Sequence, residues 1–327
     1  MHAVVAREAG GPEVLSYTEL PDPTPGPGQL LVRVAAAGVN FVDTYRRAGV
    51  YPMQYPHVVG AEGAGTVEAL GDDVTGFAIG DRVAWHDGPG SYAELVALNA
   101  AGVVHVPGGL DLTTAAALPL QGITAHYLVT STFEVGPGHD VLLHAGAGGV
   151  GLLATQLAVA RGGRVLTTVS TPEKAALSAE AGAAHTIDYA ELADITAELP
   201  QIVRELTDDQ GVHVVYDGVG RSTFEASLAS LRPRGMLVLF GAASGQVPPF
   251  DPQRLNKGGS LFLTRPTIAH YTLTRGELEW RTSEVLGSAA SGDLEVRIGA
   301  TFPLSDAAAA HEALEGRATT GKVLLVP

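Results

Sequence analysis

The sequence predicts an α/β protein in which a doubly wound parallel sheet is inserted into a mostly β domain. Three features predict it: short apolar runs between turn residues up to about residue 120, alternating strand-like and helical segments from residue 122, and a last apolar strand after residue 320. At 327 residues the chain also exceeds the roughly 250 to 300 at which a single core stops growing. The expected division is 1–121, 122–265 and 266–327, with the first and last segments forming one domain.

In the first segment the apolar runs are His2–Ala6, Leu30–Ala35, Ala64–Ala69, Asp81–Ala84 and Tyr92–Val96, separated by Gly-Pro and Gly-Asp punctuation. Such runs read as irregular β structure. The stretch Pro21–Gly28 is short enough to be a surface loop. In the middle segment strands are expected at Val141–Ala145, Arg164–Val169, His185–Ile187, Val212–Tyr216, Met236–Phe240 and Leu261–Leu263. Helices are expected at Val150–Arg161, Pro172–Ala181, Leu192–Leu206 and Ser222–Leu231. Strands and helices in this alternation fit a doubly wound nucleotide-binding sheet. Beyond residue 265 one or two helices lead to the strand Lys322–Val326, expected to rejoin the first domain.

Composition narrows the function. Hydrophobic residues at 46% and charged residues at 17% describe a folded globular protein. With 35 acidic against 20 basic residues, a net charge of −15 and no basic cluster, nucleic acid and anionic lipid are excluded as partners. Met1–Val5 is not a charged leader, no run approaches the ~18 apolar residues of a membrane span, and the cytoplasm is expected. The absence of cysteine excludes disulfides and thiol chemistry.

The chemistry begins at Gly146-Ala147-Gly148-Gly149-Val150-Gly151, which follows an expected buried strand and opens an expected helix. This is G-x-G-x-x-G in the strand-turn-helix context that dinucleotide binding needs. Gly146 would permit the turn, Gly148 the approach of a pyrophosphate and Gly151 close packing of helix on strand, with helix-start amides holding the anion. A Ser/His/Asp hydrolase is not read: no G-x-S-x-G elbow is present, and His144 falls in an expected strand core.

With these segments in view the chain resembles the medium-chain dehydrogenases/reductases, and among them the zinc-independent quinone oxidoreductases related to zeta-crystallin. The segments that carry the resemblance are Ala36–Tyr45, Gly60–Gly65, Leu143–Gly151, Val215–Gly220, Thr264–Pro266 and Arg317–Gly321, in the family's order and over most of the length. The resemblance implies a GroES-like catalytic domain made from both chain ends, a Rossmann domain between them and a homodimer. One departure is Gly146, where the subgroup usually has alanine; the cofactor site is expected to tolerate either.

Where zinc-dependent relatives carry a cysteine and a histidine ligand, this chain has Asn40 and Ala61, and no histidine falls in a metal-binding motif, so no metal is expected. Hydride transfer builds negative charge on oxygen, which zinc would stabilise. A quinone suits a metal-free site because its charge delocalises into the ring. Asn40, with a two-donor amide, is expected to orient the reactants, while Tyr45 or Tyr51 binds the ring and water supplies protons.

The nicotinamide expected is NADPH. The strand Arg164–Val169 ends in Ser170-Thr171 without the carboxylate that NAD sites place there, and Lys174 and Tyr189 follow. The resemblance implies that Lys174, Tyr189 and Arg317 surround the 2′-phosphate, while Glu173 falls inside the helix. It further implies cofactor contacts at Asn40, Thr124, Gly146, Gly148, Gly149, Val150, Gly151, Ser170, Val219, Phe240, Gly241, Leu263 and Arg265. The function read is NADPH:quinone reductase. The alternatives are an NADPH-dependent reductase of enones or enoyl thioesters and a non-catalytic NADPH-binding protein. The strand Leu261–Leu263, at the sheet's end, is the expected dimer edge.

Overall fold

The structure is a computed structural model that describes residues 1–327. It divides into two compact units, Met1–Ile123 with Thr272–Pro327, and Thr124–Tyr271.

The chain begins with β1 (His2–Ala6), β2 (Leu15–Glu19) and the long β3 (Gln29–Val39). In β3, Leu30, Val32 and Val34 point inward at the strand's period of two, and from Ala37 to Val39 every residue is buried. Then come α1 (Phe41–Arg47), β4 (His57–Val58), β5 (Glu62–Leu70), β6 (Arg82–Trp85), β7 (Leu95–Asn99) and β8 (Val103–His105). Two short helices, α2 (Leu112–Ala116) and α3 (Pro119–Tyr127), close this part. The helix α1 falls where the sequence reading assigned no element. Asp43 Oδ2 accepts the Asn40 backbone N–H at 2.9 Å, an N-terminal capping contact that turns the chain out of β3 into a helix.

The second unit contains β9 (Asp140–Leu143), α4 (Gly149–Ala160), β10 (Arg164–Val169), α5 (Pro172–Glu180) and β11 (His185–Asp188). It continues with α6 (Ile195–Leu206), β12 (Val212–Asp217), α7 (Phe224–Ala229), β13 (Leu231–Leu239), α8 (Gln253–Lys257) and β14 (Phe262–Thr264). Its six-stranded sheet runs β11-β10-β9-β12-β13-β14 with every pairing parallel, the doubly wound order expected. Leu142, Leu166, Val215 and Leu237 lie in its buried core. Some boundaries differ from the sequence reading. The helix α6 starts at Ile195 rather than Leu192, where the Asp194 carboxylate accepts the Thr196 N–H at 2.8 Å. The helix α7 is shorter at both ends than Ser222–Leu231 because Leu231 already belongs to β13, whose pairing with β12 is irregular before Met236.

The remaining elements are α9 (Arg275–Ser291), β15 (Ile298–Pro303), α10 (Ala307–Glu315) and β16 (Lys322–Val326). β16 pairs antiparallel with β3 in the register Val323↔Val39, Leu324↔Gly38, completing a sheet ordered β15-β16-β3-β5-β6-β8 with β7 also paired to β3. The core of this unit includes Val32, Val67, Trp85, Leu98 and Leu325.

Candidate active site

Because the strands of the second unit are parallel, the loops at their carboxyl ends share one edge of the sheet, the side where such folds bind ligands. Gly146–Gly151 follow β9, Ser170 follows β10 and Tyr189 follows β11. Val219 follows β12, Phe240 and Gly241 follow β13, and Leu263 and Arg265 lie in and just after β14. Thr124 lies on α3 and is 7% exposed.

The glycine turn differs in one respect from its sequence reading. The left-handed residue is Ala145, at φ 57°, and Gly146 is not left-handed. A Cβ on Gly146 would stand 2.6 Å from both Thr167 Cβ and Ser178 Oγ, so packing against β10 and α5 favours glycine there. A Cβ on Gly151 would run into the Ala145 carbonyl, as expected for close helix-strand packing. No side chain caps α4 at Gly148, which leaves the first-turn amides of Gly149, Val150 and Gly151 to an anion.

At the end of β10, Lys174 Nζ lies 3.2 Å from Ser170 Oγ, and Tyr189 N–H donates to Val169 O at 3.0 Å. The sheet thus brings Ser170, Lys174 and Tyr189 together. Glu173 is exposed, and its own backbone N–H and the Thr171 hydroxyl hold its carboxyl below the usual range. It faces its own helix start. Arg265 and Arg317 are exposed, Arg317 in a left-handed turn at φ 58° after α10.

Beneath these loops is a buried network that the sequence did not disclose. Asp217 accepts from Val219 N–H (2.8 Å), Gly220 N–H (2.9 Å) and Ser227 Oγ (2.7 Å), besides Thr223 Oγ1. Ser227 Oγ lies 3.0 Å from His144 Nε2, and His144 Nδ1 lies 2.9 Å from Thr168 Oγ1. Burial pushes the His144 imidazole below its ordinary value. The serine gives its proton to the aspartate, not to the histidine, so this Ser/His/Asp set is a brace for the loops rather than a nucleophilic triad.

In the first unit a second cluster forms where β16, β3 and β5 end side by side. The register places Glu62 opposite Gly38 and Val323 opposite Val39, which sets Lys322 beside Asn40. Lys322 and Glu62 are a buried ion pair, 1% and 0% exposed. Lys322 Nζ also donates to Asn40 Oδ1 at 2.8 Å, Asn40 Nδ2 donates to Glu62 Oε2 at 2.7 Å, and Leu120 N–H donates to Glu62 Oε1 at 2.6 Å. A Cβ on Gly38 would collide with both members of the pair, so glycine makes room for it. The remaining Asn40 N–H faces Gly38 O at 3.3 Å. Both donors of the Asn40 amide are thus engaged within the protein, which corrects the expectation that they serve a reactant. Lys322 and Glu62 hold what the sequence left unassigned. The available signal was a lysine, one of three in the chain, at the head of an otherwise apolar strand.

Around this cluster, Tyr45 and Tyr51 meet edge to face at 5.7 Å between ring centroids, and Phe41 stands 6.2 Å from Tyr45. Tyr51 and the neighbouring Val50 are 40% and 49% exposed, an open aromatic and apolar face suited to a flat ring. Asp43 is fully buried, and burial raises its carboxyl to about 6. Tyr92 donates its hydroxyl to Asp43 Oδ2 at 3.0 Å and lies 3.2 Å from His311 Nε2. His311 Nδ1 lies 3.0 Å from Arg47 Nη1, and Arg47 pairs with Glu315 at 3.0 Å. The buried Ala61 offers no metal ligand, and no group of three or more His, Cys, Asp or Glu that could hold a metal ion is present.

Comparisons with known proteins fit this arrangement. Residues 26–108 match the alcohol dehydrogenase GroES-like domain and residues 149–286 the zinc-binding dehydrogenase family. A quinone oxidoreductase of Pseudomonas aeruginosa is 46% identical over 320 residues, covering 97% of each chain. A solved mycobacterial structure complexed with NADPH is 50% identical, covers 100% of both chains and superposes with a TM-score of 0.97. An Escherichia coli quinone oxidoreductase complexed with NADPH is 39% identical over 100% of both chains, with a TM-score of 0.95. The chain belongs to the quinone oxidoreductases of the medium-chain dehydrogenase/reductase superfamily.

Proposed function

We infer that this protein is an NADPH-dependent quinone reductase that works without a metal. The observation that carries the cofactor is the end of β10, where Ser170 and Lys174 meet beside Tyr189 and the strand runs into Ser170-Thr171 rather than a carboxylate. A 2′-phosphate fits that combination of a cation and hydroxyls, and the uncapped start of α4 fits a pyrophosphate. When bound, the reduced nicotinamide supplies a hydride; with a proton, NADPH and quinone give NADP⁺ and hydroquinone.

The chain's residues divide the remaining work. Lys174, Ser170 and Tyr189 hold the 2′-phosphate, with Gly146 and Gly148–Gly151 at the pyrophosphate. Thr124, Val219, Phe240, Gly241, Leu263 and Arg265 line the cofactor further along. Tyr45 and Tyr51 receive the quinone ring, and Asn40, with its amide locked by Lys322 and Glu62, shapes the reacting position without donating to it. Protons come from water.

The enzyme works as a homodimer in the cytoplasm in this reading. What supports the dimer is β14 at the sheet edge, with Phe262 55% exposed. No helix is long and apolar enough to cross a membrane. The test is turnover of quinones, enones and enoyl thioesters with NADPH and with NADH under one set of conditions. Quinone turnover with NADPH well above the other combinations is expected. A preference for NADH, or for an enone over every quinone, would refute the reading.

A further inference from the structure

The bonds around Asn40 determine how a neighbouring amide must face. An ammonium offers only hydrogens and a carboxylate only lone pairs, so with Lys322 at 2.8 Å and Glu62 at 2.7 Å the Asn40 oxygen and nitrogen can be placed in one way alone. Gln121 approaches the Asn40 oxygen at 3.2 Å and must therefore turn its NH₂ toward it. Its own oxygen is left on the other side. That Oε1 is buried and has no hydrogen-bond partner. Native interiors seldom leave an acceptor in that state, because the water it lost is not replaced.

We propose that Gln121 is a reactant-binding residue, whose buried Oε1, left without a donor by the chain Lys322, Asn40, Gln121, accepts an N–H or O–H from a bound reactant. The inference rests on the NADPH:quinone reductase reading, which limits the donors. A quinone carries none. The carboxamide N–H of the nicotinamide and the hydroxyl of the hydroquinone product both qualify. Gln121 also lies on α3 three positions before Thr124, on the same helix face as a residue assigned to the cofactor.

The experiment measures dissociation constants of NADPH and of its acetylpyridine analogue, whose acetyl group has no N–H, together with product inhibition by hydroquinone. Wild type is compared with Gln121→Met, which removes the acceptor, and Gln121→Glu, which keeps an acceptor oxygen there while removing the N–H given to Asn40. If the donor is the carboxamide, wild type binds NADPH roughly tenfold tighter than the analogue, Gln121→Met erases the difference, and Gln121→Glu retains it. If the donor is the hydroquinone, both nucleotides bind all three proteins alike, and the product inhibition constant rises roughly tenfold in Gln121→Met alone with the quinone KM unchanged. Constants for all three ligands unchanged in Gln121→Met, or weakened equally, overturn the proposal. Absence of NADPH-dependent quinone turnover in wild type would overturn the functional reading, and the proposal with it.

Discussion

His311 is expected to make the first unit lose stability as the pH falls from 7 to 4, and replacing it with glutamine to remove that part of the loss. Arg47 has only N–H groups to offer, so Nδ1 accepts; Nε2 then carries the hydrogen and gives it to Tyr92, which passes its own to Asp43. A second proton on the ring would have to sit on Nδ1, facing the guanidinium. Burial first, and the Arg47 charge second, therefore push the imidazole down from 6.5 to about 3. The unfolded chain takes up the proton near 6.5 and the folded one only near 3, so this contribution is whole above 6.5 and is lost as pH falls between these values. At pH 4 the loss is about 3 kcal/mol, from about 1.4 kcal/mol for each of about 2.5 units. Asp43 acts in the opposite direction: its carboxyl, raised to about 6, favours the folded state at low pH and disfavours it as pH rises from about 4 to 6. That term is common to wild type and His311→Gln and cancels in their difference. Both tryptophans, Trp85 and Trp280, lie in this unit, so fluorescence-detected guanidinium unfolding at pH 7 and pH 4 reports on it. Wild type should lose about 3 kcal/mol more than His311→Gln between the two pH values. Equal losses would refute the assigned hydrogen-bond directions.

Lys174→Ala should weaken NADPH binding roughly 10- to 100-fold and leave NADH nearly unchanged, since a charged hydrogen bond contributes about 1.5 to 3 kcal/mol; titration with both nucleotides checks it. Gly146→Ala should destabilise the protein by about 1 to 3 kcal/mol, because the added methyl must displace Thr167 or Ser178; denaturant midpoints within error of wild type would contradict this. Lys322→Met should cost about 3 to 5 kcal/mol by stranding the Glu62 charge, and Lys322→Met with Glu62→Gln should recover much of it; the two unfolding curves are the measurement. Tyr45→Phe and Tyr51→Phe should each change quinone KM less than twofold if only the ring faces matter, whereas Tyr51→Ala should raise it by roughly 3- to 10-fold, as steady-state kinetics will show.

The second unit was the more legible in the sequence because most of its buried parallel strands are short apolar runs with a helix between them, although the starts of α6 and α7 were misplaced. Arg164–Val169 and Lys322–Val326 stand as read, and Ser170 and Lys174 meet because they are four positions apart across a turn into α5. The first unit was legible mainly as alternation, and α1 was missed because seven residues are too few for helical periodicity to show. The cluster around Asn40 was partly hidden for another reason. Asn40, Glu62 and Lys322 are far apart along the chain, and only the pairing of β16 with β3, and of β3 with β5, makes them neighbours. No local pattern carries that information. The same holds for Asp217 and His144, whose strands β12 and β9 are adjacent only in the sheet.

The ion pair of Lys322 with Glu62 has a consequence for the order of events during synthesis. Glu62 leaves the ribosome when 260 residues still separate it from its cation, and throughout that interval β5 has no complete place to fold, because closing the sheet around an unpaired carboxylate is costly. The middle unit, contiguous between Thr124 and Tyr271, has no such dependence and is free to fold first. The segment that carries β5, although made earlier, is thereby expected to become native after the middle unit. Nascent chains shortened before Lys322 should therefore present a protease-resistant middle segment and a cleavable amino-terminal one.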